Sequence, residues 1–192
     1  MNIFFLHERP MIAAQMVCDT HASKMCVEGV QMLVSALLIN GAPPEKMPIT
    51  KTTGKPHKGG YKHHPSTIWT STNLANWIWL YDHTWALCRE FESRFGNKHY
   101  ARQQLVHLTK HIKWSQYLNN SPQTPIARCF NQSKGLNIDL LDTNIYSDVE
   151  AYRQFYIRDK SNIAKWEKGT PTPTWWIKGT EHGGTHDNLD DE

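Results

Sequence analysis

Five polar side chains recur in one early, otherwise apolar stretch at a spacing that places them on one helix face. At about 100° per residue they fall within an arc of roughly 80°, and this polar stripe consists of His21, Lys24, Glu28, Gln31 and Ser35. Two interpretations are open. The stripe is either the solvated face of an amphipathic helix or the lining of a cavity, where buried polar groups need partners or a task.

A later helical stretch carries a second polar series at matching positions. Its members are Asn76, His83, Glu90 and Arg94. Glu90 and Arg94 stand four residues apart and are predicted to form a surface ion pair, which contributes roughly 0.3 kcal/mol. Asn76 and His83 stay open as residues of either a site or the core.

A loop rich in Pro, Gly, Lys and His, which we call the basic loop, separates the two stretches and comprises residues 42–66. A loop longer than ~15 residues without secondary structure is usually functional or disordered. It ends in the sequence YKHHP, residues 61–65, shortly before Trp69. His64 is either solvated or folded back onto the polar stripe. His and Glu together also suit a metal ion, but the HExxH spacing is absent, so neither a metal site nor a cofactor is predicted.

Two adjacent tryptophans, Trp175 and Trp176, stand near the end of the chain beside Pro173 and Lys178. They either pack the end of the chain onto the core or offer a platform on which nucleobases stack, with Lys178 on a phosphate. The pattern alone favours neither interpretation.

Helical periodicity dominates the chain and strand signals are nearly absent, which predicts an all-α class. Three main helices are predicted: the first over 10–40, the second from Ser71 or Thr72 to Gly96, and the third from the capping box at 147–150 to about Lys168. A shorter helix over 98–113 and an irregular segment over 115–146 are predicted between the second and the third. We therefore predict a compact single all-α domain over 1–180, with three main helices and long connecting loops. A flexible acidic tail, 181–192, is predicted to follow.

Composition narrows the classes of protein. The length of 192 residues suits one domain, and the 11% aromatic content argues against disorder. No run approaches ~18 apolar residues, so no membrane partner is predicted. The four cysteines show no CxxC pair, which predicts reduced thiols in a cytoplasmic protein. A formal charge of +3 means that contact with a nucleic acid depends on a local basic patch.

Three of these segments together resemble the pyrimidine-dimer DNA glycosylase/abasic-site lyase family of phages and some bacteria. They occur in the order of that family and cover about 1–95 and 150–180. The matching segments are His21 followed by Glu28 on an early helix, the sequence GYKHHP at 60–65, and the sequence PTWW at 173–176 with Lys178.

The resemblance implies an all-α fold with a concave DNA-binding face. It also implies a mechanism in which the N-terminal α-amine attacks the sugar C1′, the base departs, a Schiff base forms and β-elimination cuts the strand. An α-amine suits this chemistry because its pKa as a class is only ~7.7–8.0. Such enzymes must also take a base out of the stack.

The resemblance assigns roles to individual residues. The amine comes from Met1 or Asn2, and the bulk of Asn2 favours retention of Met1. Glu28 stabilises the cationic sugar and moves protons, and His21 supports the site. The implied substrate-binding residues are Lys24, Gln31, His64, Trp69, Asn76, Trp175, Trp176 and Lys178. Val27 and Gln31 stand where phage members of the family carry arginines that grip phosphates.

Two alternatives to a DNA-repair glycosylase/lyase remain. The same stripe and tryptophans suit a protein that binds or converts a free nucleotide or nucleobase, an interpretation favoured by the modest charge. The third hypothesis is a non-catalytic phage protein that binds a host partner through exposed aromatic residues.

Overall fold

A computed structural model describes residues 1–181, which are all-α and contain no β-strand. The predicted class is therefore confirmed, but the predicted count of three main helices is wrong, because residues 1–181 form seven α-helices. They are α1 Pro10–Met16, α2 Asp19–Ile39, α3 Pro65–Thr72, α4 Leu74–Phe95, α5 Ala101–His111, α6 Asp148–Lys160 and α7 Thr174–Glu181. The predicted acidic tail lies outside the described residues, apart from Glu181.

The helix predicted over 10–40 is divided between α1 and α2. Val17 and Cys18 adopt extended backbone angles there, with ψ of 149° and 166°. The guanidinium of Arg94 donates to the carbonyl oxygens of Gln15 (2.9 Å) and Val17 (2.8 Å). These carbonyls belong to the end of α1, where no helical N–H is left to bind them. The break is therefore held by a buried cation from α4.

This arrangement corrects the prediction of a surface ion pair between Glu90 and Arg94. The Arg94 side chain is fully buried and contacts both Glu90 (3.1 Å) and Asp19 (3.2 Å). Periodicity identified the pair, but it could not show that the start of α2 covers it.

The predicted second long helix corresponds to α4, and a separate helix that was not predicted, α3, precedes it. Asn73 has extended backbone angles, and its side-chain oxygen accepts the Asn76 N–H at 2.8 Å. Asn73 is thus the N-cap of α4, in place of the predicted Ser71 or Thr72. The predicted end is confirmed, because Gly96 adopts a left-handed conformation with φ of 72°.

The last predicted helix is shorter than expected, and a separate helix follows it. The capping box of Ser147 and Glu150 is present at the start of α6. However, α6 ends at Lys160, not near Lys168. A separate helix, α7, carries the paired tryptophans. It packs on α6 so closely that a Cβ on Gly179 would lie 2.3 Å from Ile157 Cδ1.

The core is built around α2, which packs against α3, α4 and α5. The approach to α4 is closest at Gly29, where a Cβ would lie 2.2 Å from Thr84 Oγ1. By length and a mean hydropathy of 1.4, α2 also meets the criteria for a membrane span, and 61% of that window is buried within the protein. The core helix of a soluble protein meets the same criteria, so this feature does not test the prediction of no membrane partner.

Candidate active site

The start of the chain, α2, the His64 turn, the 128–132 segment and the end of α6 enclose one cavity of about 450 Å³. We call it the Glu28 cavity. Its volume falls in the range of ~300–1,000 Å³ that is usual for small-molecule sites. The predicted site residues that line it are Met1, Asn2, His21, Lys24, Glu28 and His64. The polar stripe therefore lines a cavity along its N-terminal half.

Glu28 is the centre of the polar contacts in this cavity. Its Oε2 lies 3.7 Å from the terminal amine of Met1 and accepts the Asn2 N–H at 3.1 Å. Its Oε1 lies 3.6 Å from Lys24 Nζ, one helical turn earlier. The Glu28 side chain is only 13% exposed, whereas that of Lys24 is 63% exposed. A largely buried carboxylate thus faces an amine that it can both orient and deprotonate.

Asn2 fixes the position of the terminal amine. Its Nδ2 donates to the carbonyl oxygen of Cys129 at 2.8 Å, and its Oδ1 lies 3.2 Å from the Tyr152 hydroxyl. The Met1 side chain is buried, with its sulfur 3.6 Å from the Thr67 hydroxyl. Asn2 thus anchors the first residues of the chain beside Glu28.

His21 is a neutral, oriented residue rather than a cation. Burial, together with the charges of Lys160 and Lys24, lowers its pKa to about 3. The ring stacks on Phe4 at 4.5 Å, and Nδ1 lies 2.5 Å from the Tyr156 hydroxyl. These contacts fit the supporting role that the resemblance assigns to His21.

His64 caps α3 and faces the same charges. Its Nδ1 accepts the Ser66 N–H at 3.2 Å, so the neutral ring carries its proton on Nε2. Burial lowers the pKa of His64, the terminal amine lowers it as well, and Glu28 raises it. Near neutral pH, His64 therefore offers an N–H donor beside the Glu28 cavity.

The charges of the cavity favour an anionic ligand. The cations among its lining groups are the Met1 amine, Lys24, Arg128 and Lys160, and Glu28 is the one carboxylate among the lining residues described. Arg128 is held by Asp148 at 2.8 Å and serves mainly to anchor its own segment. Lys24 and the half-buried Lys160 remain as cations at the cavity wall, where each can attract a phosphate.

Four predicted substrate-binding residues lie in the core or in a different pocket. Trp69 is 5% exposed and donates its indole N–H to the Thr124 carbonyl at 3.2 Å. Asn76 is fully buried, with bonds to Trp69 and Thr124. Gln31 lies beside Gly60 and lines a second cavity. Trp175 is 1% exposed, which leaves no ring face for a nucleobase.

The tryptophan pair instead packs against Tyr156, outside the Glu28 cavity. The ring of Tyr156 lies edge-on to Trp175 (6.0 Å between centroids) and Trp176 (6.1 Å). The Tyr156 hydroxyl in turn contacts His21. Trp176 is half-buried, Lys178 is exposed on α7, and neither lines the Glu28 cavity. The prediction that the pair packs the end of the chain onto the core is therefore the one that the geometry supports.

Sequence reasoning missed one wall of the cavity. The 128–132 segment lies in the region predicted to be irregular, and it brings Cys129 and Phe130 to the cavity. Tyr152, from α6, holds this segment because its hydroxyl lies 2.6 Å from the Ala127 carbonyl oxygen. No periodic pattern marks such a segment.

Two buried histidines predict that acid weakens the fold. Burial lowers the pKa of His83 to about 4, although its bond to the Pro10 carbonyl raises it, and His21 titrates at about 3. Both pKa values lie below the unfolded value of ~6.5, so the stabilisation is present above that pH and is lost as pH falls towards 3. Between pH 7 and pH 5 we expect a loss of about 2 kcal/mol per histidine.

Urea unfolding at the two pH values measures this loss. His83→Asn keeps a donor for Pro10 and should remove about half of the pH dependence. His63→Asn, at an exposed position, should leave it unchanged. Equal pH dependence in all three proteins would refute the assignment.

Comparison of the chain with protein-family models, curated proteins and solved structures returns no match. Conclusions about function therefore depend on the Glu28 cavity itself.

Proposed function

We propose that the protein is a DNA glycosylase/abasic-site lyase that acts through the Met1 amine and Glu28. The observation that carries this proposal is the placement of that amine 3.7 Å from a largely buried carboxylate inside one cavity. A neutral amine is the nucleophile that Schiff-base chemistry uses, and a carboxylate beside it can accept its proton. The resemblance noted in the sequence supports the same class.

The mechanism begins with proton transfer from the Met1 amine to Glu28. At a damaged nucleotide, the neutral amine attacks C1′ and the base leaves with a proton from Glu28. The C1′–O4′ bond of the sugar ring then opens, and the proton lost by the amine passes to O4′, which leaves an iminium ion between the amine nitrogen and C1′. At an abasic site, the amine adds to the C1′ aldehyde and water leaves, which gives the same iminium ion. Loss of a C2′ proton to a base and departure of the 3′ phosphate then cut the strand. Glu28 is the group placed to carry these protons.

The charges around the cavity support a phosphate-bearing substrate. Lys24 is mostly exposed at the rim and is free to swing towards a phosphate, whereas Lys160 packs its ammonium over the Phe155 ring at 5.0 Å. The N–H of His64 is placed to donate to a sugar or phosphate oxygen. These few contacts favour one nucleotide drawn into the cavity over a long, tightly gripped duplex.

Reduction by borohydride tests the proposal. The protein is mixed with a duplex that holds one abasic site, or one pyrimidine dimer, in the presence of sodium borohydride. We expect a covalent protein–DNA complex, because hydride reduces the iminium ion to a stable amine. Absence of a trapped complex, under conditions in which a known lyase is trapped, would overturn the proposal.

The cavity volume supports a second candidate, which is a protein that binds a free nucleotide. About 450 Å³ accommodates a single small ligand, and neither tryptophan of the pair lines the cavity to provide a stacking platform for a strand. Thermal-shift measurements with millimolar nucleotides distinguish the two functions. A nucleotide-dependent shift combined with no retention or trapping of DNA selects the second candidate.

A further inference from the structure

We propose that Cys26, Cys88 and His99 form a binding site for one zinc ion, separate from the Glu28 cavity. The sulfur atoms of the two cysteines and a ring nitrogen of the histidine all lie within 4.8 Å of one another. Thiolate and imidazole are the ligands that zinc prefers in proteins. The set consists of three protein ligands with the fourth position open.

The packing of α2 on α4 brings the two cysteines together. Gly29 allows the closest approach, against Thr84. Cys26 lies one turn before Gly29 and Cys88 lies one turn after Thr84, so the two thiols meet across antiparallel helices. No CxxC motif marks the pair because the cysteines come from different helices.

His99 reaches the pair from the turn that joins α4 to α5. Its ring packs edge-on to Phe91, with 4.9 Å between the centroids. Gly96, in its left-handed conformation, ends α4 and directs the chain back towards the helix pair. Three separate elements therefore place the three ligands.

The distances fit zinc after a small contraction. Tetrahedral bonds of ~2.3 Å to sulfur and ~2.0 Å to nitrogen place ligand atoms about 3.5–3.8 Å apart. The present upper limit of 4.8 Å thus requires movements of about 1 Å or less for each ligand. Side-chain rotations supply movements of this size.

The charge balance suits a buried site. Cys26 and Cys88 are 0% and 1% exposed, so an uncompensated charge there would be costly. Two thiolates and one neutral imidazole exactly offset the two positive charges of the ion. Binding releases two thiol protons to solvent, and no atom is oxidised or reduced.

Binding costs two weak hydrogen bonds. The Cys26 thiol donates to the Ala22 carbonyl at 3.1 Å, and this bond is lost on deprotonation. His99 Nδ1 accepts the Ala101 N–H at 3.1 Å. If Nδ1 binds the zinc ion, it no longer accepts the Ala101 N–H. If Nε2 binds the ion, the neutral ring carries its proton on Nδ1, which then cannot accept that N–H either. The bond to Ala101 is therefore lost in both cases. Two metal–thiolate bonds outweigh both losses.

A cavity of about 570 Å³ gives the site access to solvent. It is lined by His99 and, from the basic loop, by His57 and Lys51. A water molecule from this cavity can complete the coordination of the ion. His57 is half-buried there, so this side of the protein is partly shielded from bulk solvent.

Cobalt titration of the reduced, metal-free full chain tests the site. We expect one equivalent of Co²⁺ to bind, with thiolate-to-cobalt charge-transfer absorption and the visible bands of a tetrahedral ion. Zinc should displace it, and native mass spectrometry should show one zinc per chain. Absence of binding by the reduced protein at micromolar metal would overturn the proposal.

Variants locate the bound metal. His99→Gln, at a half-buried turn, should weaken binding by about ten-fold or more, and Cys88→Ser should also reduce the charge-transfer intensity. His111→Gln and Cys129→Ser, which lie outside the cluster, should bind as the parent does. If Cys88→Ser fails to fold, the metal affinity of His99→Gln alone tests the proposed site. Unchanged binding by folded His99→Gln would contradict the site.

Discussion

Glu28→Gln is expected to lower the rate of strand cleavage at an abasic site by roughly 10²–10⁴-fold, the usual contribution of a positioned acid–base group. Glutamine keeps the size of the side chain and an oxygen that accepts the Asn2 N–H. It cannot take the proton that the Met1 amine must lose, and it does not stabilise the iminium ion. Single-turnover cleavage of a labelled abasic duplex measures the effect.

Glu45→Gln is the matched control, because Glu45 is an exposed carboxylate on the basic loop. It should cleave at the parent rate. Circular dichroism and the melting temperature of Glu28→Gln should stay close to those of the parent, which separates a chemical effect from unfolding. Cleavage by Glu28→Gln at the parent rate would exclude Glu28 from the chemistry.

Arg94→Met is expected to destabilise the fold by about 3–5 kcal/mol, as removal of one partner from a buried ion network usually does. The guanidinium donates to the Gln15 and Val17 carbonyls and contacts Asp19 and Glu90. Methionine has a similar length but no donor, so both carbonyls lose their donor and both carboxylates lose their cation. Urea unfolding at pH 7 gives the free energy directly.

Arg158→Met is the control for this prediction. Its ion pair with Asp139 is largely exposed (32% and 46%), and pairs of this kind contribute about 1 kcal/mol or less. A loss below about 1 kcal/mol in Arg94→Met as well would show that Arg94 does not hold the junction of α1 and α2.

The pattern of α2 predicted the centre of the site. Helical spacing placed His21, Lys24 and Glu28 on one face, and the structure turns that face to the cavity. The spacing could not show how far along α2 the lining of the Glu28 cavity extends. About one turn after Glu28, Gln31 faces the second cavity. About two turns after Glu28, the Ser35 hydroxyl bonds to Gly60 of the basic loop at 2.9 Å.

Tertiary packing explains the main errors. Trp175 and Trp176 have the composition of a stacking platform, but α7 packs on α6 and buries them against Tyr156. The helix break at Val17 was missed because it lies in a stretch of sustained helical periodicity, and an arginine on a distant helix stabilises it. The start of α4 was predicted at Ser71 or Thr72, close to the Asn73 cap that the structure shows.

The position of the trapped DNA tests the central claim most directly, since three amines line the Glu28 cavity. After borohydride reduction and nuclease digestion, tandem mass spectrometry locates the remaining sugar on the protein. We predict that it lies on the α-nitrogen of Met1. Attachment to Nζ of Lys24 or Lys160, or absence of any adduct, would contradict the account.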